Sequence, residues 1–354
     1  MNEYSPFLKL KNGELNALSK LSPEDRQFII PLLELPRDDK CTTEEHLINK
    51  IDRNAKKIKK GIKCNFTFYI DNYEIPDEIK INGVDNYQYL INSFFDFDII
   101  PVVGFDRVST HNDIAINYAN KKSKKIALRI TQDYFENFLA YKNDLQLIFN
   151  KINSDVFHIL LLDCNYIENN LIDSYKISVI NILENIIKSN IFSKIVIAGS
   201  SIPALIGNIV KVNTNALINR NEVSLFKAIK AKYNNENIIF GDYTIVSPEY
   251  SELNIKEEYL PNLMTPKIIY TLIDSQYFTR GRGLKEYGFS QYFKQANDII
   301  KKQFFRGKNF SWGDNFLYEK AINKGTNITP SSIIGPTVNA HLKYMIEEIN
   351  KGTI

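Results

Sequence analysis

Eight short apolar runs recur along this 354-residue chain, and most of them end in a charged or hydroxyl residue. Helix-like segments lie between the runs. Strands that alternate with helices are typical of a parallel sheet, and eight such units predict a TIM-like (β/α)8 barrel of the α/β class. The runs, each with the polar residue that follows it, are Ser5–Leu10 with Lys11, Ile29–Leu33 with Glu34, Phe66–Ile70 with Asp71, Ile99–Phe105 with Asp106 and Arg107, Ile126–Leu128 with Arg129, Phe157–Leu162 with Asp163, Ile195–Gly199 with Ser200, and Ile238–Phe240 with Asp242.

The alternation of strand-like and helix-like segments stops near residue 264. We therefore predict that residues 1–263 form the barrel and that residues 264–354 form a C-terminal extension packed on it. Lys267–Leu272 is itself strand-like, so either this segment or the region 237–246 could supply the strand that closes the barrel. We predict a helix over Asp133–Phe149, between the fifth and sixth runs.

Composition excludes several classes of protein. Hydrophobic residues make up 44 % of the chain, which is enough for a large core without metals or disulfides. With 44 basic and 41 acidic side chains, the net charge of +3 does not by itself imply binding to nucleic acid. No apolar run is long enough to cross a bilayer, so no membrane partner is expected. The three cysteines form no CxxC pair, and no signal peptide is recognised, which favours free thiols in a cytoplasmic protein.

Polar residues that follow barrel strands are expected to meet at one rim, where barrel proteins usually bind their ligands. Among them, Lys9, Glu34, Arg129 and Asp163 are candidate ligand-binding residues, and an arginine is suited to bidentate contact with a phosphate or carboxylate. The alternative role for each is to cap a helix or to form a rim salt bridge. The full predicted set is Lys9 or Lys11, Glu34, Asp71, Asp106, Arg107, Arg129, Asp163, Ser200 and Asp242.

The same rim supports an alternative function, a metal-dependent phosphodiesterase or nuclease. Glu34, Asp71 and Asp163 would then hold Mg²⁺, and Lys9 or Arg129 would contact the phosphate. This alternative requires the three carboxylates to lie within about 4–5 Å of one another. It loses its basis if every rim acid pairs with an arginine instead. Apart from this Mg²⁺, the sequence implies no particular cofactor, and it contains neither a phosphate-binding GxxxxGK[ST] motif nor HExxH.

Two further sets of residues are candidates for nucleotide or nucleic-acid contact. In the extension, Arg280 and Arg282 alternate with glycines, and the segment 304–314 interleaves aromatic, basic and glycine residues, including Trp312 and Asp314. We favour the alternative that these aromatics anchor the extension on the barrel. The lysines of 56–60 could also contact nucleic acid, although the solvated face of an outer helix is the favoured interpretation.

Several short motifs, taken in order, make the whole chain resemble the Beta protein family of satellite phages, prophages and bacterial mobile elements. The opening segment YSPFLKLKNGE at 4–14 resembles the start of that family. The family often ends in a motif with a tryptophan and a histidine, of which this chain keeps only His341. The other matching positions are Pro31, Leu32, Glu34 and Pro36 in the second strand, Arg280-Gly281, and Phe310-Ser311-Trp312-Gly313-Asp314.

The resemblance implies a biological setting and supplies no reaction and no catalytic residues. Some members belong to small gene modules implicated in defence against phages, beside a toxic partner that they would restrain. We therefore expect a protein that senses or binds a ligand or a partner through the barrel rim and the extension. The expected partner is a protein encoded nearby or a phage-derived ligand, and a nucleic acid is less favoured. In this hypothesis Lys9, Glu34, Arg280, Trp312 and Asp314 shape the recognition surface.

Overall fold

Eight parallel strands close into a barrel in the computed structural model, which describes residues 3–37, 43–62, 66–250 and 264–354. In chain order, the strands are β1 (Tyr4–Lys9), β2 (Leu32–Glu34), β3 (Thr67–Asp71), β4 (Lys80–Ile81), β5 (Val84–Asp85), β6 (Asp98–Val103), β7 (Lys125–Thr131), β8 (Phe157–Tyr166), β9 (Phe192–Ser200), β10 (Thr214–Asn219), β11 (Ile238–Asp242), β12 (Lys267–Thr271) and β13 (Ser275–Arg280). Around the barrel the strand order is β1-β11-β9-β8-β7-β6-β3-β2. This order confirms the predicted TIM-like fold, and β11 is the strand that closes the ring onto β1.

Each barrel strand overlaps one of the eight apolar runs, and β2 is the shortest of them. Pro31 has no backbone N–H to donate to the ladder, so regular pairing starts after it, at Leu32. The carbonyl of Pro31 still accepts a hydrogen bond from the Tyr69 amide at 2.9 Å, which holds the start of the strand in place. Lys9 then pairs in register with Glu34, and Glu34 with Asp71, so these three side chains reach the same level of the barrel.

Helices separate the barrel strands and complete the extension. The predicted helix over Asp133–Phe149 is interrupted, because only Lys142–Phe149 is α-helical and Tyr134 and Tyr141 instead pack against Phe105. Short 3-10 or π turns lie at 119–123, 132–134, 138–141, 169–171, 187–189 and 206–208. The α-helices of the described residues are Asn12–Ser19, Pro23–Arg26, Glu44–Gly61, Asn86–Ser93, Ser109–Tyr118, Lys142–Phe149, Ile172–Ile186, Asn221–Lys232, Leu284–Tyr287, Gln291–Ile300, Trp312–Ala321 and Ile334–Asn350.

Alternate residues of the barrel strands divide between the lumen and the layer beneath the helices. One apolar cluster fills the lumen and takes members from all eight strands, including Phe7, Tyr69 and Leu161. The opposite faces, with residues such as Leu8 and Leu162, pack against the helices in a larger cluster. Side-chain direction along each strand therefore decides whether a polar residue enters the lumen or faces the surrounding helices.

The C-terminal extension packs on the barrel through a three-stranded antiparallel sheet and the C-terminal helix Ile334–Asn350. The sheet has the order β10-β13-β12, so one of its strands, β10, lies in the chain between barrel strands β9 and β11. The predicted boundary between residues 263 and 264 lies at the edge of a segment outside the described residues. The division into two domains at this point stays a prediction.

Gly313 allows the extension's helices to cross closely. A Cβ atom at this position would lie 1.9 Å from the carbonyl oxygen of Pro336 and 2.9 Å from Cβ of Ala340, both in the C-terminal helix. Ser311 accepts a hydrogen bond from the Asp314 amide at 2.9 Å and begins helix Trp312–Ala321. The segment 310–314 therefore builds a helix start and a close helix crossing.

The structure bears on two predictions, the absence of a membrane span and the free thiols, for the described residues. No helix among the described residues is long and apolar enough to cross a membrane. Cys164 is buried and free, as predicted, whereas Cys41 and Cys64 lie outside the described residues. Burial raises the pKa of the Cys164 thiol well above its usual range, so this thiol stays protonated and unreactive.

Candidate functional site

Arg129 lies at the carboxyl end of the lumen and contacts three carboxylates from three other strands. Its guanidinium donates to Asp163 at 2.6 Å, to Asp71 at 2.8 Å and to Glu34 at 3.2 Å. The Tyr243 hydroxyl donates to Asp163 at 2.7 Å from the end of β11. The structure thus brings together side chains that lie up to 209 positions apart in the sequence. We call this group, with Lys9 and Arg107, the lumen cluster.

Lys9 and Arg107 complete the pairing of the lumen carboxylates. Lys9 donates to Glu34 at 3.1 Å and to Glu74 at 2.5 Å, and Arg107 donates to Asp71 at 2.9 Å. Both cations are nearly inaccessible, with 7 % of each side chain exposed. Each carboxylate of the lumen cluster therefore has at least one basic partner within hydrogen-bond distance.

These contacts favour the ionised forms of Glu34, Asp71 and Arg129. Burial would raise the pKa of Glu34, but Lys9 and Arg129 outweigh that effect and lower it. Burial would also raise the pKa of Asp71, but Arg107 and Arg129 outweigh that effect and lower it. Burial would lower the pKa of Arg129, but the surrounding carboxylates raise it well above its usual range. The cluster is a set of mutually compensated charges.

This pairing bears directly on the alternative Mg²⁺ site. Glu34, Asp71 and Asp163 converge as the alternative requires, but the guanidinium of Arg129 lies among them and contacts all three. Over the described ranges, no group of three or more acidic, histidine or cysteine side chains has an arrangement that could hold a metal ion. Because the rim acids pair with basic side chains, the geometry does not support the nuclease alternative.

Asp242 does not join the rim, contrary to its prediction. Gly241 and Tyr243 take the positions that point into the lumen, so the carboxylate between them points outward, toward Arg220 and the C-terminal helix. Arg220 donates to Asp242 at 2.7 Å and to Glu222 at 2.7 Å, and Tyr4 donates to Asp242 at 2.6 Å. We call this group, with His341, the docking cluster.

His341 links the docking cluster to the extension. Its Nε2 lies 3.0 Å from Asp242 and its Nδ1 lies 2.8 Å from the Thr271 hydroxyl in β12. Burial lowers the pKa of His341 below its ordinary value, which favours the uncharged ring. Burial would raise the pKa of Asp242, but His341, Arg220 and Tyr4 hold it at about 2. His341 therefore connects the barrel, the C-terminal helix and the extension's sheet.

A cleft of about 260 Å³ opens above the lumen cluster, between the barrel mouth and the extension. We call it the mouth cleft. Barrel loops and the extension both contribute to its walls, so neither part forms it alone. Its lining residues are Lys9, Lys11, Ile202, Pro203, Ala204, Ile206, Ile245, Val246, Ser247, Glu249, Tyr250, Thr265, Lys267, Ile269, Tyr292, Pro330, Ile333, Ile334 and Thr337.

Of the predicted site residues in the extension, Arg280 donates a hydrogen bond to Thr265, which lines the mouth cleft. It pairs across the sheet with Lys267, and it donates to the Val210 carbonyl at 2.6 Å and to the Thr265 hydroxyl at 3.1 Å. Arg282 instead lies over the Tyr287 ring, 4.9 Å from its centroid. The two arginines therefore have separate surroundings.

Trp312 and Asp314 lie within the packing of the extension. Trp312 contacts Phe316, with ring centroids 6.3 Å apart. Asp314 is inaccessible, and its carboxylate accepts from Tyr270 at 2.6 Å and from Ser311 at 2.5 Å. These contacts lie inside the extension, so the favoured alternative that this segment anchors the extension on the barrel stays a prediction.

Sequence reasoning missed Lys267, Tyr292 and Arg220. Lys267 begins a strand-like run, which gave it no distinguishing signal, and its neighbour Arg280 is 13 positions away in the chain. Arg220 directly follows β10, a strand that the apolar pattern did not reveal. The pairing of β13 with β12 and with β10 would have been needed to find Lys267 and Arg220.

The comparisons with known proteins relate nearly the whole of this chain to one family. Protein beta of Enterobacteria phage P4 is 27 % identical over 97 % of this chain and 93 % of its own length. The crystal structure of the biosynthetic arginine decarboxylase SpeA from Campylobacter jejuni aligns with 98 % of this chain and 56 % of that protein, at 10 % identity and a TM-score of 0.36. The family model described as Beta protein matches residues 4–347. The chain therefore belongs to the Beta protein family.

Proposed function

We propose that this protein is a binding component of a phage-defence or mobile-element module and that its ligand enters the mouth cleft. The single observation that supports this proposal is the position of the cleft. It lies at the carboxyl ends of the barrel strands, where barrel proteins bind their ligands, and the extension forms one of its walls. A ligand in the cleft would contact both parts of the chain at once.

The lumen cluster favours binding over catalysis by rim carboxylates. A carboxylate that acts as a general base or metal ligand needs a free lone pair directed at the substrate. Here Glu34, Asp71 and Asp163 are buried and bonded to Arg129. In this proposal the cluster is the rigid floor of the cleft, and Lys9 is the member that lines it.

Contact with both parts gives a ligand a way to change the surface that the protein presents to a partner. A ligand that binds one arrangement of barrel and extension better than another shifts the population toward that arrangement. In the module, this shift would alter contact with a neighbouring gene product or a phage-derived molecule. The protein would act as a cytoplasmic sensor.

Filling the mouth cleft tests this proposal. Ala204 lines the cleft from the loop after β9, so Ala204→Trp places a large side chain in it. Ala231→Trp is the matched control, because it adds the same bulk at an exposed position of helix Asn221–Lys232. Both variants are expected to fold, as judged by circular dichroism and thermal unfolding.

The readout is the plating efficiency of phages on a host that carries the gene with its native neighbours. Ala204→Trp should abolish protection and Ala231→Trp should retain it. Mass spectrometry of small molecules that co-purify with the wild-type chain, but not with Ala204→Trp, would support a ligand in the cleft. Full protection by folded Ala204→Trp would contradict the proposal.

A further inference from the structure

We infer that the mouth cleft binds a small molecule that carries a phosphate group, and that Lys267 and Arg280 hold this group. The inference rests on the proposed function, because it names the class of ligand for the same cleft. It is carried by two positive charges that have no carboxylate partner among the described residues.

Lys267 and Arg280 are directly opposite each other on the antiparallel strands β12 and β13. Residues that pair in this way project from the same face of a sheet with Cβ atoms about 4.5–5.5 Å apart, and like charges there are destabilising. Within the described ranges, no carboxylate forms a salt bridge with either side chain. The arrangement places two positive charges side by side without a counter-ion.

Lys267 opens into the mouth cleft, and Arg280 is held beside it by hydrogen bonds. Lys267 lines the mouth cleft, and protein around its side chain, followed by the charge of Arg280, lowers its pKa. Arg280 is fixed by its hydrogen bonds to Val210 and Thr265, and Thr265 also lines the cleft. A fixed guanidinium beside an ammonium that opens into a concave space is suited to bind an oxyanion.

The remaining polar groups of the cleft are compatible with an anion. Lys11 lines it as well, and its ammonium lies 5.2 Å from the centroid of the Tyr250 ring. Lys9 is already paired with Glu34 and Glu74, so it adds no unpaired charge. Glu249 is the carboxyl group among the lining residues, and burial raises its pKa.

A buried hydroxyl at the cleft adds an independent observation. Tyr292 is fully buried and lines the cleft, and its hydroxyl forms no hydrogen bond within the described part of the chain. The backbone N–H of Lys267 lies near this hydroxyl, but not in hydrogen-bond geometry. A buried hydroxyl without a partner is destabilising, so this part of the cleft wall is incompletely satisfied beside Lys267.

The apolar walls indicate the rest of the ligand. Ile202, Ile206, Ile269 and Ile333 line the cleft beside the basic pair. Pockets that combine apolar walls with a few fixed polar groups bind ligands with a matching apolar or planar part. We therefore expect a phosphorylated molecule such as a mononucleotide to bind more tightly than inorganic phosphate.

Isothermal titration calorimetry of the full chain tests the inference with inorganic phosphate, pyrophosphate and adenosine 5′-monophosphate. At least one probe should bind, with an affinity that falls as salt rises. The double variant Lys267→Gln/Arg280→Gln should weaken that binding at least about tenfold, because it removes both charged hydrogen-bond donors of the pair. Lys285→Gln is the matched control, since it removes an exposed lysine elsewhere in the extension and should leave affinity unchanged.

Lys267→Arg keeps the positive charge and should retain most of the affinity, which guards against a double variant that fails to fold. If only the nucleotide binds, the apolar walls recognise the base, and if inorganic phosphate binds as well, the anion alone is sufficient. Absence of binding by all three probes to the wild-type chain would overturn the inference, as would equal binding by the double variant. Either result would leave the proposed function intact if Ala204→Trp still abolished protection.

Discussion

The lumen cluster and the mouth cleft are adjacent, and they differ in how their charges are paired. In the lumen, Arg129 alone contacts three carboxylates, and Lys9 and Arg107 supply further partners. In the cleft, Lys267 and Arg280 face each other across two strands with no carboxylate bonded to either one in the described ranges. The lumen charges are satisfied by the fold itself. A phosphate in the cleft would supply the negative charge that the described part of the fold does not place beside Lys267 and Arg280.

The same barrel therefore has buried charges that stabilise the fold and, beside them, charges that are available to a ligand. Replacing a whole buried ion network by apolar side chains is often neutral for stability, but removing one partner leaves charges uncompensated and is strongly destabilising. Variants in the lumen should therefore lower stability, and variants in the cleft should chiefly affect binding. The predictions below test that distinction.

The largest effect is expected from Arg129→Met. This change leaves Glu34, Asp71 and Asp163 buried without their shared cation, so the free energy of unfolding should fall by about 3–5 kcal/mol. Urea denaturation followed by circular dichroism measures it. Arg53→Met, which removes an exposed arginine, should change stability by less than about 0.5 kcal/mol. Equal, small effects for both variants would remove the distinction between lumen and cleft.

Gly313→Ala should have the next largest effect, and it tests the close crossing of the extension's two helices, Trp312–Ala321 and Ile334–Asn350. Because the added Cβ would meet the Pro336 carbonyl, the two helices must move apart, with a loss of about 1–3 kcal/mol in the free energy of unfolding. Hydrogen exchange should increase in helix Trp312–Ala321 and in the C-terminal helix. Gly307→Ala is a useful comparison, since Gly307 has open space around it but a φ of 88°, so its cost is backbone strain alone.

Acidification should weaken the docking cluster by a moderate amount. His341 has a pKa below its ordinary value because of burial, and burial lowers the pKa of His111 to about 4. The unfolded chain therefore binds more protons than the folded chain below about pH 6.5, and stability falls as pH decreases through that range. Urea midpoints at pH 7 and pH 5 measure this loss. His341→Gln should reduce the pH dependence, and an unchanged dependence would contradict the assignment.

Lys267→Met is expected to have the smallest effect on stability. Removing one of two like charges on paired strands should leave the free energy of unfolding within about 0.5 kcal/mol of wild type, or raise it slightly. Thermal unfolding without added phosphate measures this effect. A loss comparable to that of Arg129→Met would show that Lys267 has a structural partner, and the contrast between the two regions would fail.

The eight strands could be predicted because parallel strands buried on both faces leave continuous apolar runs. The same continuity hides side-chain direction, since nothing in the run around Gly241 and Asp242 says which residue enters the lumen. Asp242 was therefore placed at the rim, although it belongs to the docking cluster. Lys267 was missed for a different reason, because its significance depends on pairing with Arg280, which the sequence alone does not reveal.

The placement of β10 has a consequence for how the chain unfolds. In the sequence this strand lies between barrel strands β9 and β11, yet its hydrogen bonds are made to β13, which follows the last barrel strand. A fragment that stops before residue 264 would expose the ladder edge of β10 and deprive Arg220 of the Leu272 and Ile273 carbonyls that it bonds at 3.2 and 3.3 Å. We expect calorimetry of the intact chain to record one cooperative transition, and protein made from a prematurely terminated gene to be cleared by proteolysis.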